Sequence, residues 1–371
     1  MINLYDQILK TAVDLISIES THDKKEKLNE SLAYTVNFFS EHPLHVKHFN
    51  YGSFPSVYLS SKGSKTPDVL LNGHLDVVPG DSSQFQPFIS ETHLVGRGSV
   101  DMKLFDAVAM HTMQHLLKEY PNLDIGIYFS TDEEIGGQNG ARRFVEEGYC
   151  PKLLINGDGG TDYNIVLGSK GILKLTLSLK TTPGRHSYPW EGENAAEILI
   201  NAYNRLTKLF PDFVHSTYDN NWHSTFSIAG IRAKNVLNGP VLNAEMDLVI
   251  NFTENETVES LTEKIRELVS PVSVSLSSYA ERLFISDDRP YISQFLQIAE
   301  KQFREKWGKK RDNGSSDVKF FNPDKTDIII VKMPGVGPHT PSEKAELSGI
   351  IPMYNTLNDF IIHYFELTNE K

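Results

Sequence analysis

A chain of 371 residues with a net charge of −12 is long enough for two domains, and its charge argues against general nucleic-acid binding, which needs clustered lysine and arginine. The single cysteine, Cys150, excludes a disulfide framework and a thiolate zinc site, so any metal must be held by histidine, aspartate and glutamate. Residues 1–20 predict an amphipathic helix without the apolar region of a signal peptide, and no apolar run reaches membrane-spanning length. We therefore expect a cytoplasmic protein that binds neither membranes nor nucleic acid.

The first part of the chain alternates predicted helices and strands. Apolar spacing predicts helices over residues 25–40, 103–118 and 140–147, and strands over residues 46–49, 57–60, 69–78, 124–130 and 152–156. Polar residues gather where the later strands end. This pattern is typical of an α/β domain with a mostly parallel sheet and helices on both faces, in which sites form at the carboxyl ends of strands.

A different pattern begins near residue 172. Strands are predicted over 172–179, 224–230, 245–252 and 272–277, and helices over 194–209 and 258–268. This β-α-β-β-α-β order predicts an α+β domain of ferredoxin-like type. Helices over 290–307 and 352–367 and a strand over 327–331 then resume the first pattern. We therefore predict a discontinuous catalytic domain over residues 1–171 and 286–371, with residues 172–285 as an inserted lid or dimerisation domain.

The acidic stretch Asp132-Glu133-Glu134 follows a short apolar strand and precedes two glycines. A solvated acidic turn would explain it without any function. If the carboxylates are buried instead, they need a cation or a proton, because desolvated like charges oppose each other's ionisation. The choice between the two interpretations depends on the rest of the chain.

Other acidic and imidazole side chains are predicted at strand ends and in loops. His74 and Asp76 are two apart on a predicted strand, so their side chains point to one face. Asp101 follows a Gly-Arg-Gly turn, Asp158 lies in a glycine-rich loop, and His339 lies in a late loop. Each residue also has a plain structural explanation, as a core histidine with its aspartate, a helix N-cap, a turn residue or a surface histidine.

Taken together, these residues favour a metal centre. The strand ends of a doubly wound sheet converge on one edge, so the imidazoles and carboxylates are expected to meet. The set has one more carboxylate than one divalent ion needs, and it suits two zinc, cobalt or manganese ions that share a bridging carboxylate. Such ions would polarise a carbonyl and lower the pKa of a shared water to about 7. The adjacent pair Glu133 and Glu134 would supply one ligand and one general base.

Several segments resemble the M20 metallopeptidases, a family that includes acetylornithine deacetylase and succinyl-diaminopimelate desuccinylase. The matching segments are Gly73-His-Leu-Asp-Val-Val-Pro79, Gly96-Arg-Gly-Ser-Val-Asp-Met-Lys103, Thr131-Asp-Glu-Glu134, Gly314-Ser-Ser-Asp317 and, in the inserted domain, His186-Ser-Tyr-Pro189. The resemblance extends over essentially the whole chain. Related aminopeptidases share the metal pattern, and the inserted domain is what favours M20.

The resemblance implies a metal ligand set. His74 and Asp158 would bind one divalent ion, and Glu134 and His339 would bind the other. Asp101 would bridge the two ions, for which zinc is the expected metal and cobalt or manganese are alternatives.

The resemblance also implies roles for residues beside the metals. Glu133 would be the general base, and Asp76 would orient His74 or support the site. His186 resembles the histidine that reaches into a neighbouring subunit's site and stabilises the tetrahedral oxyanion, which implies a homodimer through the inserted domain. Three further residues would contact the substrate: Asn235, Gly314 and Ser315.

Two departures from the family pattern concern substrate binding and packing. An arginine expected on a strand of the inserted domain is replaced by Asn251, which cannot clamp a carboxylate as a bidentate guanidinium does. Arg232 or Arg185 could compensate. Lys103-Leu-Phe also replaces the usual small residues after the Asp-Met-Lys, so the start of this helix is expected to be crowded.

These features predict a di-metal amidohydrolase that removes the acyl group of a small N-acylated amino acid, similar to acetylornithine deacetylase in amino-acid biosynthesis. A dipeptidase or carboxypeptidase would use the same site, and the sequence does not separate these substrates. A catalytically silent binding protein on this fold would be expected to have lost a ligand or the base, and this chain retains all of them.

Overall fold

The computed structural model describes residues 3–160, 162–210, 222–235 and 239–366. The chain forms two compact units, the first of Met1–Leu167, Ile285–Asp312 and Ser316–Lys371, and the second of Gly168–Phe284 and Asn313–Ser315. Residues 1–2 and 367, at the ends of two predicted helices, lie outside the described residues.

All eight predicted helices are present in the described ranges. They are α1 (Leu4–Ser17), α2 (Lys25–Phe38), α3 (Lys103–Glu119), α4 (Ala141–Glu146), α5 (Ala195–Leu206), α6 (Val258–Val269), α7 (Pro290–Phe303) and α8 (Ile350–Tyr364). Side-chain caps mark some of their starts: Asn3 accepts a hydrogen bond from the amide of Asp6, and Asn194 accepts one from the amide of Ala196. None of these helices is long and apolar enough to cross a membrane.

The strands of the six-stranded sheet and of the second unit's four-stranded sheet lie where the sequence predicts them, and β4, β5, β8, β13, β14, β16 and β17 were not predicted. The strands are β1 (His45–Tyr51), β2 (Phe54–Ser60), β3 (Val69–His74), β4 (Phe88–Ile89), β5 (His93–Val95), β6 (Ile125–Ser130), β7 (Leu153–Asn156), β8 (Asn164–Ser169), β9 (Gly171–Lys180), β10 (Thr225–Asn235), β11 (Val241–Phe252), β12 (Ser273–Ala280), β13 (Leu283–Phe284), β14 (Gly308–Asp312), β15 (Asp327–Ile330), β16 (Gly335–Val336) and β17 (Lys344–Glu346). Strand β3 ends at His74, earlier than predicted: the amide of Leu75 still bonds to the carbonyl of Ser130 on β6, but the amide of Val77 bonds to the carbonyl of Ser20, outside the sheet.

The main sheet of the first unit has six strands in the order β1-β2-β6-β3-β7-β15. β3 pairs in parallel with β6 and β7, and β15 pairs in parallel with β7, whereas β1 and β2 are antiparallel additions at one side. His74 is level with Ser130 in the register, and Asn72 is level with Asn156. The segments that follow β3, β6 and β7 therefore leave the same edge of the sheet side by side.

A small antiparallel sheet in the first unit has the order β16-β17-β5-β4. Strand β17 pairs with β5, with Ala345 opposite Leu94. The backbone bond from the amide of Gly96 to the carbonyl of Glu343, 3.2 Å long, continues this pairing. The sheet thereby brings the segment before β17 next to the segment after β5.

The second unit contains a four-stranded antiparallel sheet in the order β10-β11-β9-β12, with α5 and α6 packed on it. In terms of the unit's own four strands, the order is second, third, first and fourth, as expected of a ferredoxin-like β-α-β-β-α-β arrangement. Every second residue of the central strand is buried, from Ala244 to Ile250. Together with the mixed sheet of the first unit, it confirms the predicted fold class.

The crowded start of α3 is accommodated by two glycines, Gly73 in β3 and Gly157 directly after β7. A Cβ atom added at Gly157 would overlap the ring of Phe105, and one added at Gly73 would overlap the carboxylate of Asp106. Both large residues are fully buried. Phe105, which departs from the family pattern, therefore fits because position 157 carries no side chain, and the adjacent Asp106 fits because position 73 carries none.

Candidate metal centre

Asp101 lies at the middle of a cluster of carboxylates and imidazoles. One of its carboxylate oxygens is 3.1 Å from Nε2 of His74, and the other is 3.0 Å from Nε2 of His339. The imidazole of His339 is also 3.1 Å from Oε2 of Glu134, and that of His74 is 4.0 Å from Oδ2 of Asp158. Asp101 therefore stands between two pairs of donor groups.

The donor atoms fit divalent metal ions. Two ligands of a tetrahedral ion, each about 2.0–2.2 Å from it, lie roughly 3.3–3.6 Å apart, close to most of these separations. Oε1 of Glu134 is buried and has no hydrogen-bond partner among the described residues, which leaves a carboxylate lone pair to be satisfied. Imidazole and carboxylate donors without thiolate suit zinc, cobalt or manganese.

The electrostatics of the cluster indicate the same need for positive charge. Burial, followed by the charge of Asp101, raises the pKa of Asp158 to about 8, and burial together with Asp158 raises the pKa of Glu133 well above its ordinary value. Hydrogen bonds to Asp101 and Glu134 raise the pKa of His339 to about 10. Divalent cations would replace such protons, because metal ligation requires neutral imidazole and ionised carboxylate.

The orientation of His74 is set by the backbone of Asp76. Nδ1 of His74 is 2.9 Å from the carbonyl oxygen of Asp76 and 3.6 Å from its carboxylate. A proton on Nδ1 donated to this carbonyl leaves Nε2 facing Asp101 with its lone pair, which is the arrangement a metal-binding histidine needs.

The carboxylate of Asp76 supports the adjacent glutamates. It is fully buried and accepts hydrogen bonds from the amide of Glu133 at 3.3 Å and from that of Glu134 at 3.0 Å, one on each oxygen. The sequence left two roles for Asp76, and the contacts divide them: its carbonyl orients His74, and its carboxylate holds the turn that carries both glutamates.

Geometry alone does not separate the base from the ligands. Glu133 offers an oxygen within 4.8 Å of donor atoms of His74 and Asp158, just as Glu134 does with His74 and Asp101. The two glutamates face different partners across the cluster.

Asp132 and Asp317 form a buried acidic layer next to the centre. Asp132 is fully buried and accepts from the amides of Asn139 and Gly140 at 2.7 and 3.0 Å. Asp317 accepts from the hydroxyl of Ser130 at 2.6 Å. Asp317 ends the segment Gly314-Ser-Ser-Asp317 that resembles M20, but its contact with Ser130 spans 187 positions and arises only in the folded sheet.

The other predicted site residues belong to the second unit. His186 is exposed in the loop after β9, and Asn235 is the last residue of β10. Gly314 and Ser315 lie in the short segment assigned to this unit, and the hydroxyl of Ser315 is buried with no partner among the described residues. The roles predicted for these four residues remain predictions.

The two arginines considered as replacements at the Asn251 position already have acidic partners. Arg232 donates to both Glu245 and Asp247 on the sheet of the second unit. Arg185 donates to Glu191 at 2.6 Å, and its guanidinium lies 4.1 Å from the centre of the Tyr188 ring. A substrate carboxylate would have to compete with these contacts.

The chain is similar to known enzymes over nearly its whole length. It is 22% identical over 383 residues to a succinyl-diaminopimelate desuccinylase of Rickettsia bellii, an alignment that covers 96% of each chain. An M20 family metallo-carboxypeptidase from Sulfolobus solfataricus matches its fold with a TM-score of 0.76 and 15% identity, over 98% of this chain and 100% of the other. A dinuclear metal-binding M20 peptidase from Bacillus subtilis matches with a TM-score of 0.70 and 13% identity, over 98% and 99%.

A family match gives the assignment. Residues 70–363 match the family described as Peptidase family M20/M25/M40, and these residues contain every member of the donor cluster. The chain belongs to peptidase family M20/M25/M40 and is a metal-dependent hydrolase of amide bonds.

Proposed function

We propose that the protein removes the acyl group of a small N-acylated amino acid by hydrolysing its amide bond at a two-metal centre. The observation that carries the proposal is the position of Asp101, whose two oxygens face His74 and His339 separately. One carboxylate shared in this way serves two neighbouring ions. The proposed first set is His74, Asp158 and Asp101, and the second is Glu134, His339 and Asp101.

The residues around this centre divide the work of hydrolysis. Bound divalent ions would supply a Lewis acid for the amide carbonyl and a lowered pKa for the attacking water. Glu133 takes the proton of that water and passes it to the leaving amine, a task that suits a carboxylate whose pKa burial raises. The carboxylate of Asp76 keeps Glu133 in place by accepting a hydrogen bond from the backbone amide of Glu133. The adjacent Glu134 is a ligand under this assignment.

Support for an N-acylated amino acid comes from the match to a succinyl-diaminopimelate desuccinylase over 96% of both chains. Removal of a succinyl or an acetyl group is the same reaction with a different acyl pocket, so we retain an acetylornithine deacetylase-like activity as the specific form. The match to a metallo-carboxypeptidase favours a second candidate, cleavage of a dipeptide or of a peptide's last residue.

The proposal includes a homodimer through the second unit. His186 would then stabilise the oxyanion in the partner's site, for which its exposed position in a loop is suitable. Substrate contacts are assigned to Asn235, Gly314 and Ser315.

A hydrolysis screen tests the function directly. Purified protein is supplied with zinc, cobalt or manganese and offered N-acetyl amino acids, N-succinyl amino acids, dipeptides and longer peptides. We expect the highest kcat/KM for an N-acyl amino acid. A preference for dipeptides or peptides would transfer the assignment to the second candidate, and metal binding without hydrolysis of any amide would contradict both.

Metal analysis tests the two-metal part separately. Protein purified without chelator should contain about two divalent ions per chain, and chelator should abolish hydrolysis until metal is restored. A single ion per fully active chain would contradict the bridging role of Asp101.

A further inference from the structure

Glu343 is a buried carboxylate that touches the loop carrying Asp101. Its side chain is 1% exposed, and Oε1 accepts hydrogen bonds from the amides of Gly98 and Val100 at 3.0 Å and of Asp101 at 3.2 Å. Three amides on one oxygen hold the backbone of residues 96–101, the Asp101 loop, in one conformation. One of these amides belongs to Asp101 itself.

The second oxygen of Glu343 is paired with Arg97. Nη1 of Arg97 donates to Oε2 of Glu343 at 2.6 Å, and both side chains are buried. The same guanidinium nitrogen is 3.3 Å from the carbonyl oxygen of Thr340, which also accepts from the side chain of Gln84 at 3.1 Å. The pair therefore reaches the residue that directly follows His339.

The backbone at His339 needs such support. His339 has a φ of 63°, in the left-handed region that a residue with a Cβ seldom adopts. A conformation of this kind costs about 1–3 kcal/mol and persists where the surroundings determine it. Residues 337–343, the His339 loop, contain both His339 and Glu343, so the contacts of Arg97 with Thr340 and of Glu343 with the Asp101 loop hold the segment directly after the strained residue.

We infer that Glu343 is a positioning residue, which through Arg97 and the amides of the Asp101 loop holds Asp101 and His339 at the separation that an ion between them requires. The inference rests on the proposed two-metal centre. Glu343 touches no donor atom of a metal ligand, and its effect is transmitted through backbone. Residues that orient ligands in this way typically contribute 10–100-fold to metal affinity.

Two variants test the inference. Glu343→Gln removes the charge that pairs with Arg97, and Glu343→Asp keeps the charge but withdraws it by one methylene from the three amides. We expect each to weaken the binding of at least one of the two ions by about 10–100-fold in calorimetric titration of metal-stripped protein. We also expect a changed visible absorption spectrum of the cobalt-loaded protein, because the ligand geometry at cobalt determines it.

Glu346→Gln is the matched control. Glu346 lies three positions further along and its side chain accepts from Ser348 at 3.4 Å. It should leave metal affinity and the cobalt spectrum unchanged. Circular dichroism and Tm of each variant show whether it is folded. If Glu343→Gln is unfolded, the metal titration and the cobalt spectrum of Glu343→Asp decide the question.

The possible results separate the inference from the proposed function. Wild-type affinity for both ions and a wild-type cobalt spectrum in a folded Glu343 variant would overturn the inference and leave the two-metal centre intact. Failure of the wild-type protein to bind divalent ions would overturn the centre itself and the inference with it. Selective weakening in both Glu343 variants but not in Glu346→Gln would establish the positioning role.

Discussion

The two units differ in where their acidic side chains lie: those of the second unit's sheet point outward, whereas several in the first unit are buried. In strand β11 of the second unit, Met246 and Leu248 point into an apolar core, while Glu245 and Asp247 point outward to Arg232. In the first unit, several fully buried residues at the strand ends are acidic. Because an unpaired buried carboxylate is costly, the buried acids of the first unit need compensating groups, which the apolar core of the second unit does not.

The buried acids of the first unit are mostly held by backbone amides. Asp76, Asp132 and Glu343 each accept at least two amide hydrogen bonds from a loop near the donor cluster. Such bonds to a charged acceptor are stronger than neutral ones. These three carboxylates fix the loops beside the donor cluster, and those loops present the carboxylates of Asp101, Glu133 and Glu134.

The largest effect is expected for the glutamate proposed as the general base. Glu133→Gln should lower kcat by about 10²–10⁴-fold, because it removes the general base without changing the side-chain shape. Metal content should stay at the wild-type value. Glu134→Gln is the matched variant, and it should lose metal as well as activity. Near-full hydrolysis by Glu133→Gln, or loss of metal equal to that of Glu134→Gln, would contradict the assignment of the base.

A variant in the second unit should affect stability without affecting the metals. Leu248 is 1% exposed, and Leu248→Ala should lower the stability of the second unit by about 2–5 kcal/mol, because it leaves a cavity in the core. Leu276→Ala, at a position 42% exposed on the same sheet, is the control and should have a much smaller effect. Urea unfolding measures stability, and metal titration of both variants should match the wild type. Weakened metal binding by Leu248→Ala would show that the two units are not separate in this respect.

A pH-dependent effect is expected in the first unit, away from the metal centre. His111 is buried beside the hydroxyl of Thr11, and burial lowers its pKa to about 4 from an ordinary 6.5. The unfolded chain therefore binds the extra proton first as pH falls. The contribution of His111 is fully present above pH 6.5 and declines towards pH 4, by about 3 kcal/mol at most. His111→Gln should flatten the fall of stability across this window, and an unchanged slope would contradict the neutral buried imidazole.

The smallest effect is expected on the surface of the second unit. Arg232→Gln should leave KM unchanged for substrates with a free carboxylate, because its guanidinium is already bound to Glu245 and Asp247. Steady-state kinetics on an N-acyl amino acid and on its carboxamide measure this. A rise in KM for the carboxylate substrate alone would show that Arg232 does replace the arginine expected at Asn251.

Much of the fold follows from the sequence because apolar periodicity is a local property. The eight helices, the strands of the six-stranded sheet and the ferredoxin-like order of the second unit were all predicted from it. The short strands β4, β5, β16 and β17 were not, since two or three residues are too few to show a period. Those short strands nevertheless bring Glu343 to the Asp101 loop.

The residues of the candidate site also divide into those that a local sequence pattern predicts and those that only long-range contacts bring together. His74, Glu134 and Asp158 could be predicted because they lie at or just beyond strand ends, and in a parallel sheet these ends share one edge. Glu343 looks like an ordinary surface acid in the sequence, and Asp317 is singled out there only as the last residue of a segment that resembles M20. Their burial depends on contacts across 243 and 187 positions, to Val100 and Ser130, which no local pattern records.

The fit of Phe105 over Gly157 has a consequence for how this chain can change. Neither position can vary alone: an alanine at 157 collides with the ring, and removal of the ring leaves a void next to the loop of Asp158. A paired exchange, with a small residue at 105 and a methyl group at 157, would preserve the packing. Positions 105 and 157 should therefore change together among related chains, and libraries that vary this helix should randomise the two jointly.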